Sequence, residues 1–260
     1  MIAAYSDDVL PDRVPELDGC KRSGGHITIK GKEYRFVNAQ GLLVGKLWVM
    51  GNNRTLELYD KDSKLHGNCR KWWKPGVLGA ETPYVHGIRH GVWRNWNLEG
   101  QLVGESEFEN GTGVLRVYHD NGCLKEELRF EDNVKHGIHL YLHDNRQIKE
   151  IYWMERGEMI RGIYFDRGGK IRYTHWSNAK GLHGAYFGYA SELRVRVDGK
   201  PVTKAEYEAA REKDATLPPY FASIEECKTF IRNDEEVVNL LKHYRELKPV
   251  PIPLRKEAKK

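Results

Sequence analysis

Glycine recurs at Gly45, Gly67, Gly91, Gly113, Gly137, Gly162 and Gly184, at intervals of 22, 24, 22, 24, 25 and 22 residues. A period in the twenties sustained over seven copies marks a stacked repeat architecture, in which no copy can bury its apolar face alone. Eleven residues after each opening glycine stands an aliphatic residue: Leu56, Leu78, Leu102, Leu124, Ile148 and Val195, with Ile171 two residues early in the sixth copy. Gly76, Gly100 and Gly122 follow their opening glycines by nine residues, and Arg54 and Arg146 take that place in other copies.

Within a copy, apolar and polar residues alternate, as along Val92, Arg94, Trp96 and Val114, Arg116, Tyr118, and a period of two reads as a strand. Glu109-Asn110-Gly111 and His119-Asp120-Asn121-Gly122 place Asn and Gly where a chain reversal needs positive φ. Each copy is therefore a hairpin. One hairpin is marginal alone, so neighbours are expected to pair into an elongated, twisted antiparallel sheet.

The run from His26 to Val37 is expected to form a starting hairpin, with the Pro11- and Pro15-containing stretch before about Gly25 as loop. After Asp198-Gly199 the period ends and helix signals begin. Thr203 with Glu206 and Ser223 with Glu226 are capping boxes, Asn233 or Asp234 can cap a third helix, and Val237, Leu240, Leu241 and Tyr244 form one apolar stripe. Pro249, Pro251 and Pro253 stop it. The expected organisation is an N-terminal loop and hairpin over 1–40, a repeat domain over 41–198, and a helical cap with a basic tail over 199–260 that covers the end of the sheet. The fold class is mainly β.

The 26 glycines fit the turns, and 40% hydrophobic with 30% charged residues is a globular balance. Cys20, Cys69, Cys123 and Cys227 form no C-x-x-C pair and read as small core residues of a reducing compartment. No leader or membrane-span pattern is present, so a cytoplasmic protein is expected. A net charge of +5 is mild, and only Lys248, Arg255, Lys256, Lys259 and Lys260 concentrate it; no specific nucleic-acid binding is expected.

No P-loop, G-x-S-x-G, H-E-x-x-H or dinucleotide fingerprint occurs, and no enzyme activity or cofactor is expected. His66, His90, His136 and His183 each precede an opening glycine, which assigns them to the turns. His136, His139 and His143 are close enough to gather around a metal, but no further ligand completes them and no metal site is expected. Asp120 and Asp144 share one repeat position and read as turn residues.

Aromatic residues recur on the strands: Trp72, Trp73, Trp93, Trp96, Tyr118, Tyr141, Trp153, Tyr164, Trp176, Tyr186 and Tyr189. A single-layer sheet has two faces and cannot bury both unaided. Trp72, Trp73, Trp93, Arg94, Trp96, Arg116, Tyr118 and Tyr141 are therefore the candidate partner-binding residues, with Trp93 and Trp96 on opposite faces.

The pattern Gly-x-x-x-x-Trp/Tyr-x-x-x-Gly-x-Leu, seen in Gly91 to Leu102 with Trp96 and in Gly113 to Leu124 with Tyr118, resembles the MORN repeat, in the diverged form of YwqK-type antitoxin proteins. The resemblance spans about Gly45 to Val197. It implies a non-catalytic protein-binding module, an immunity- or antitoxin-like protein that masks a toxin through its sheet. The alternative it implies is a scaffold or membrane-surface assembly protein, with membrane contact through the basic tail as the secondary reading.

Overall fold

The computed structural model describes residue 10 and residues 13–188 and 192–250. Tyr189, Pro11 and the tail residues Arg255, Lys256, Lys259 and Lys260 lie outside them. The protein is mainly β, with 53% strand and 14% helix. It divides into two compact units, one of described residues up to Asp120 and one of Asn121–Val250. The division falls inside the repeat, between Asp120 and Asn121.

The first unit holds strands β1 (Lys21–Thr28), β2 (Gly31–Val37), β3 (Leu43–Met50), β4 (Asn53–Leu58), β5 (Gly67–Lys74), β6 (Val77–Val85), β7 (Ile88–Arg89), β8 (Gly91–Trp96), β9 (Leu102–Glu109) and β10 (Thr112–Tyr118). The pairing is antiparallel and follows chain order, with β8 also joining β6 past the short β7. The stretch before Gly25 is more than loop. Strand β1 already begins at Lys21, and a 3-10 turn at Pro15–Leu17 brings Leu10, Val14 and Leu17 onto Phe36, Leu47, Leu56, Leu58 and Trp72 as one core cluster. A Cβ at Gly45 would meet the Leu17 side chain at 3.1 Å, so this opening glycine serves a close approach rather than a turn.

The second unit holds β11 (Leu124–Glu131), β12 (Val134–Lys135), β13 (Gly137–Leu142), β14 (Ile148–Glu155), β15 (Glu158–Phe165), β16 (Ile171–Asn178), β17 (Gly181–Phe187), β18 (Arg194–Val197) and β19 (Lys200–Pro201), then α1 (Lys204–Arg211), α2 (Ile224–Arg232) and α3 (Glu235–Glu246). Thr203 and Glu206 form the expected capping box, Ser223 accepts from the Glu226 amide, and Asp234 caps α3. The helices pack on a face of the sheet. The reason is the register row Leu140, Ile151, Ile163, Thr174, Phe187, an apolar line of at most 2% exposure that needs a second layer. Tyr207, Leu217, Phe221, Cys227, Ile231, Val237 and Tyr244 are buried in the helical segment, with the Phe221 ring 6.3 Å from that of Trp176. Arg161 lies between the Trp153 and Trp176 rings, 4.4 and 5.1 Å from their centroids, and donates to Asp234 at the start of α3 at 2.8 Å.

Two turn types alternate. Two-residue turns at His86-Gly87, Asn110-Gly111, Asp132-Asn133, Arg156-Gly157 and Asp198-Gly199 have both residues at positive φ. Five-residue loops open on Asn38, Asp60, Asn97 and Asp166, whose side-chain oxygens accept from the amides two and four residues on. The fourth loop residue takes positive φ: Gly41, Ser63, Gly100, Gly169 and, in the loops opening on His119 and His143, Gly122 and Arg146. Arg54, expected at that position, is instead a buried residue of β4 donating to the Asn52 carbonyl at 2.8 Å. In the first copy the Gly51-Asn52 turn comes first and displaces the loop. The aliphatic position divides too: Leu56, Leu124, Ile148 and Ile171 are buried, whereas Leu102 is 39% exposed and Val103 points inward.

Candidate binding surface

In the second unit, Tyr141 pairs across the strands with Glu150, Glu150 with Tyr164, and Tyr164 with Tyr173. Two residues along each strand, His139, Tyr152, Gly162, His175 and Tyr186 form a parallel row. Even spacing places both rows on one face, opposite the apolar row under the helices. All five tyrosines keep part of their surface open to solvent.

Gly162 makes this arrangement possible. A Cβ there would lie 2.4 Å from the His175 ring and 3.1 Å from Tyr152, so only a bare backbone lets the two aromatic side chains lie across β15. Tyr141 meets Tyr152 edge-on at 5.9 Å, and Tyr173 meets Tyr186 edge-on at 5.5 Å and His175 at 5.2 Å. Such mutual contact fixes the rings before any partner arrives.

The electrostatics are those of a half-dry surface. Desolvation raises the phenol pKa values of Tyr141, Tyr152 and Tyr173, with Glu150 adding to the effect at Tyr152, whose hydroxyl donates to that carboxylate at 2.6 Å. The hydroxyls stay protonated at neutral pH and serve as donors and acceptors. Lys149 contacts Glu150 at 2.8 Å, and Glu126 faces Tyr141 across β11 and β13. His175 is 4% exposed, burial lowers its pKa to about 4, and neither ring nitrogen has a partner among the described residues. His139 is also buried, and its Nε2 lies 2.8 Å from the Arg129 carbonyl.

Of the candidate partner-binding residues read from sequence, Tyr141 belongs to this face, together with Tyr164 and Tyr186 from the wider set of strand aromatics. Trp72 and Trp93 are buried, at 0% and 6% exposure, and form no open surface; the sheet's interior needs their bulk. Trp73 and Trp96 are half-buried and joined by a bond from the Trp73 indole to the Trp96 carbonyl at 2.8 Å. Arg94 stands in a cross-strand row of alternating charge, Arg70, Glu81, Arg94, Glu105, at 2.7 Å from Glu105 and 3.9 Å from Glu81. Arg116 is exposed beside half-buried Tyr118 in β10. The residues that sequence reasoning missed are Tyr152, Tyr173, His175, Glu126 and Glu150. For Tyr173 and His175 the available signal is their i, i+2 spacing on one strand.

The histidines before the glycines are turn residues in three dimensions. The rings of His66, His90 and His183 accept from the first amide of the two-residue turns at His86, Asn110 and Asp198, at 3.4, 3.3 and 3.1 Å. The next amides, of Gly87, Gly111 and Gly199, donate to the carbonyls of Leu65, Arg89 and Leu182, the residues before those histidines. Gly157 does the same to Lys135, ahead of His136. His136, His139 and His143 do not converge: they turn to Glu131, the Arg129 carbonyl and the Phe165 carbonyl.

All four cysteines are free thiols, and burial pushes Cys69 up to about 11 and Cys227 up to about 12, as suits core positions. No helix among the described residues is long and apolar enough to cross a membrane. A scan against models of known protein families finds no match, and a search of curated proteins finds no significant match.

Proposed function

We propose that this chain is a non-catalytic protein-binding module that engages its partner through the tyrosine face of its second unit. The observation that carries this is the pair of rows on β13–β17: five partly exposed tyrosines, four of them locked in two edge-to-face pairs, with two carboxylates beside them. Rigid aromatic side chains with a polar tip bury large area at small entropic cost, which is why they dominate binding hot spots. Glu126 and Glu150 favour a partner that presents arginine or lysine there. The finer reading, a cytoplasmic antitoxin- or immunity-like protein that masks a toxin, rests on the repeat's resemblance and is part of the proposal. The test is capture from the native lysate with wild type and with Tyr164→Ala/Tyr173→Ala. A stoichiometric partner held by wild type and lost by the folded variant supports the reading; a partner retained by the variant contradicts it.

A second reading has its own observation. At the tip of the β1–β2 hairpin, Ile27 and Ile29 are 92% and 99% exposed beside Lys30 and Lys32, a pairing of apolar and basic groups that suits an anionic membrane surface. Sedimentation with phosphatidylserine vesicles, lost on Ile27→Ser/Ile29→Ser, would favour a membrane-surface scaffold.

A further inference from the structure

The fold brings together Asp60 and His66, at the two ends of the connection between β4 and β5, and His86, in the turn after β6. Asp60 opens the five-residue loop after β4, His66 precedes β5, and His86 is the first residue of the turn after β6. One ligand atom from each lies within 4.8 Å of the others. His86 Nδ1 is 2.6 Å from Asp60 Oδ2, and the two imidazole centroids are 5.0 Å apart.

Each group is held for reasons of the repeat. Asp60 Oδ1 accepts from the amides of Asp62 and Lys64 at 2.9 and 3.0 Å, which leaves Oδ2 turned toward the histidines. His66 occupies the shared turn position also held by His90 and His183. His86 is the departure: the same place in the partner turns of His90 and His183 holds Asn110 and Asp198, which carry no imidazole. Its φ of 49° fixes the backbone where His is tolerated and most side chains are not. The His86 side chain is 62% exposed and that of Asp60 8%, so the group is open on one side.

We infer that Asp60, His66 and His86 form a binding site for a divalent first-row transition ion of the zinc type. Two imidazoles and one carboxylate are a borderline donor set that suits such an ion over calcium or magnesium. Three protein ligands leave a coordination position to water on the exposed side. The Asp60 bonds to Asp62 and Lys64 act as the outer contacts that orient a ligating carboxylate.

The sibling copies supply variants that keep the fold. His86→Asn copies Asn110 in the same turn type, and Asp60→Asn copies Asn97, whose amide oxygen makes the same two loop bonds. The experiment is calorimetric titration of untagged full-length protein with zinc chloride, with circular dichroism and thermal melting to confirm that each variant is folded. The expected result is one zinc per chain for wild type and at least a tenfold weaker affinity for each single variant. Absence of binding by wild type, or unchanged affinity in both folded variants, overturns the site. A loss confined to one variant overturns the three-ligand set.

Discussion

The Tyr244 hydroxyl on α3 donates to the Glu127 carboxylate of β11 at 2.9 Å, joining groups 117 residues apart in sequence. Both are buried, at 5% and 4% exposure, and Arg129 completes the carboxylate at 2.8 Å. A buried acid of this kind is tolerated only when donors surround it. Tyr244→Phe keeps the ring and removes one donor, so unfolding in urea should show a loss of about 1–3 kcal/mol. A variant as stable as wild type would mean that Glu127 is satisfied without α3.

Arg146 occupies the positive-φ loop position, at 68°, that Gly41, Gly100, Gly122 and Gly169 hold in sibling loops. A side chain there crowds its own backbone, at a cost of about 1 kcal/mol. Arg146→Gly should therefore stabilise the protein by up to that amount, seen as a higher melting temperature. A fall would show that the arginine makes compensating contacts.

His175 should make stability depend on pH. Its pKa is lowered by burial from about 6.5 to about 4. The unfolded chain therefore takes up a proton between those values while the folded chain does not. The contribution is complete above about pH 6.5 and is lost as pH falls toward 4, roughly 2 kcal/mol by pH 4.5. His175→Leu should flatten this part of the wild-type profile in denaturation series from pH 7 to 4.5. Parallel profiles would contradict the burial of a neutral imidazole.

Leu102 and Leu124 hold the same repeat position yet differ in burial, 39% against 4% exposure. Leu124→Asp places a charge in the interior and should abolish cooperative unfolding of the second unit. Leu102→Asp should change stability by less than about 1 kcal/mol. Equal loss in both would mean that the repeat position, not its local register, decides burial.

The difference between Leu102 and Leu124 shows what the sequence makes legible and what it hides. Glycine spacing and Asn-Gly turns reveal strands, hairpins and antiparallel order, because backbone conformation is set locally. Face assignment is another matter. The register breaks at Asn95/Trp96 and Tyr141/Leu142 shift the alternation and alter which side chains turn inward. Leu10, Val14 and Leu17 cover the first unit and the helices cover the second, choices that depend on distant segments. Tyr141 is legible as a strand aromatic, whereas the placement of Tyr173 and His175 depends on Gly162 on the neighbouring strand. Asp60 and His86, 26 residues apart, meet because two turns stack, which no spacing rule announces.

The proposed role of the tyrosine face is to meet a protein. A photo-crosslinking amino acid placed at Tyr164, and separately at exposed Lys242 on α3, tests it in the native cell. Irradiation should give one discrete protein adduct from position 164 and none from position 242. No adduct at 164, or the same adducts from both positions, would contradict the assignment.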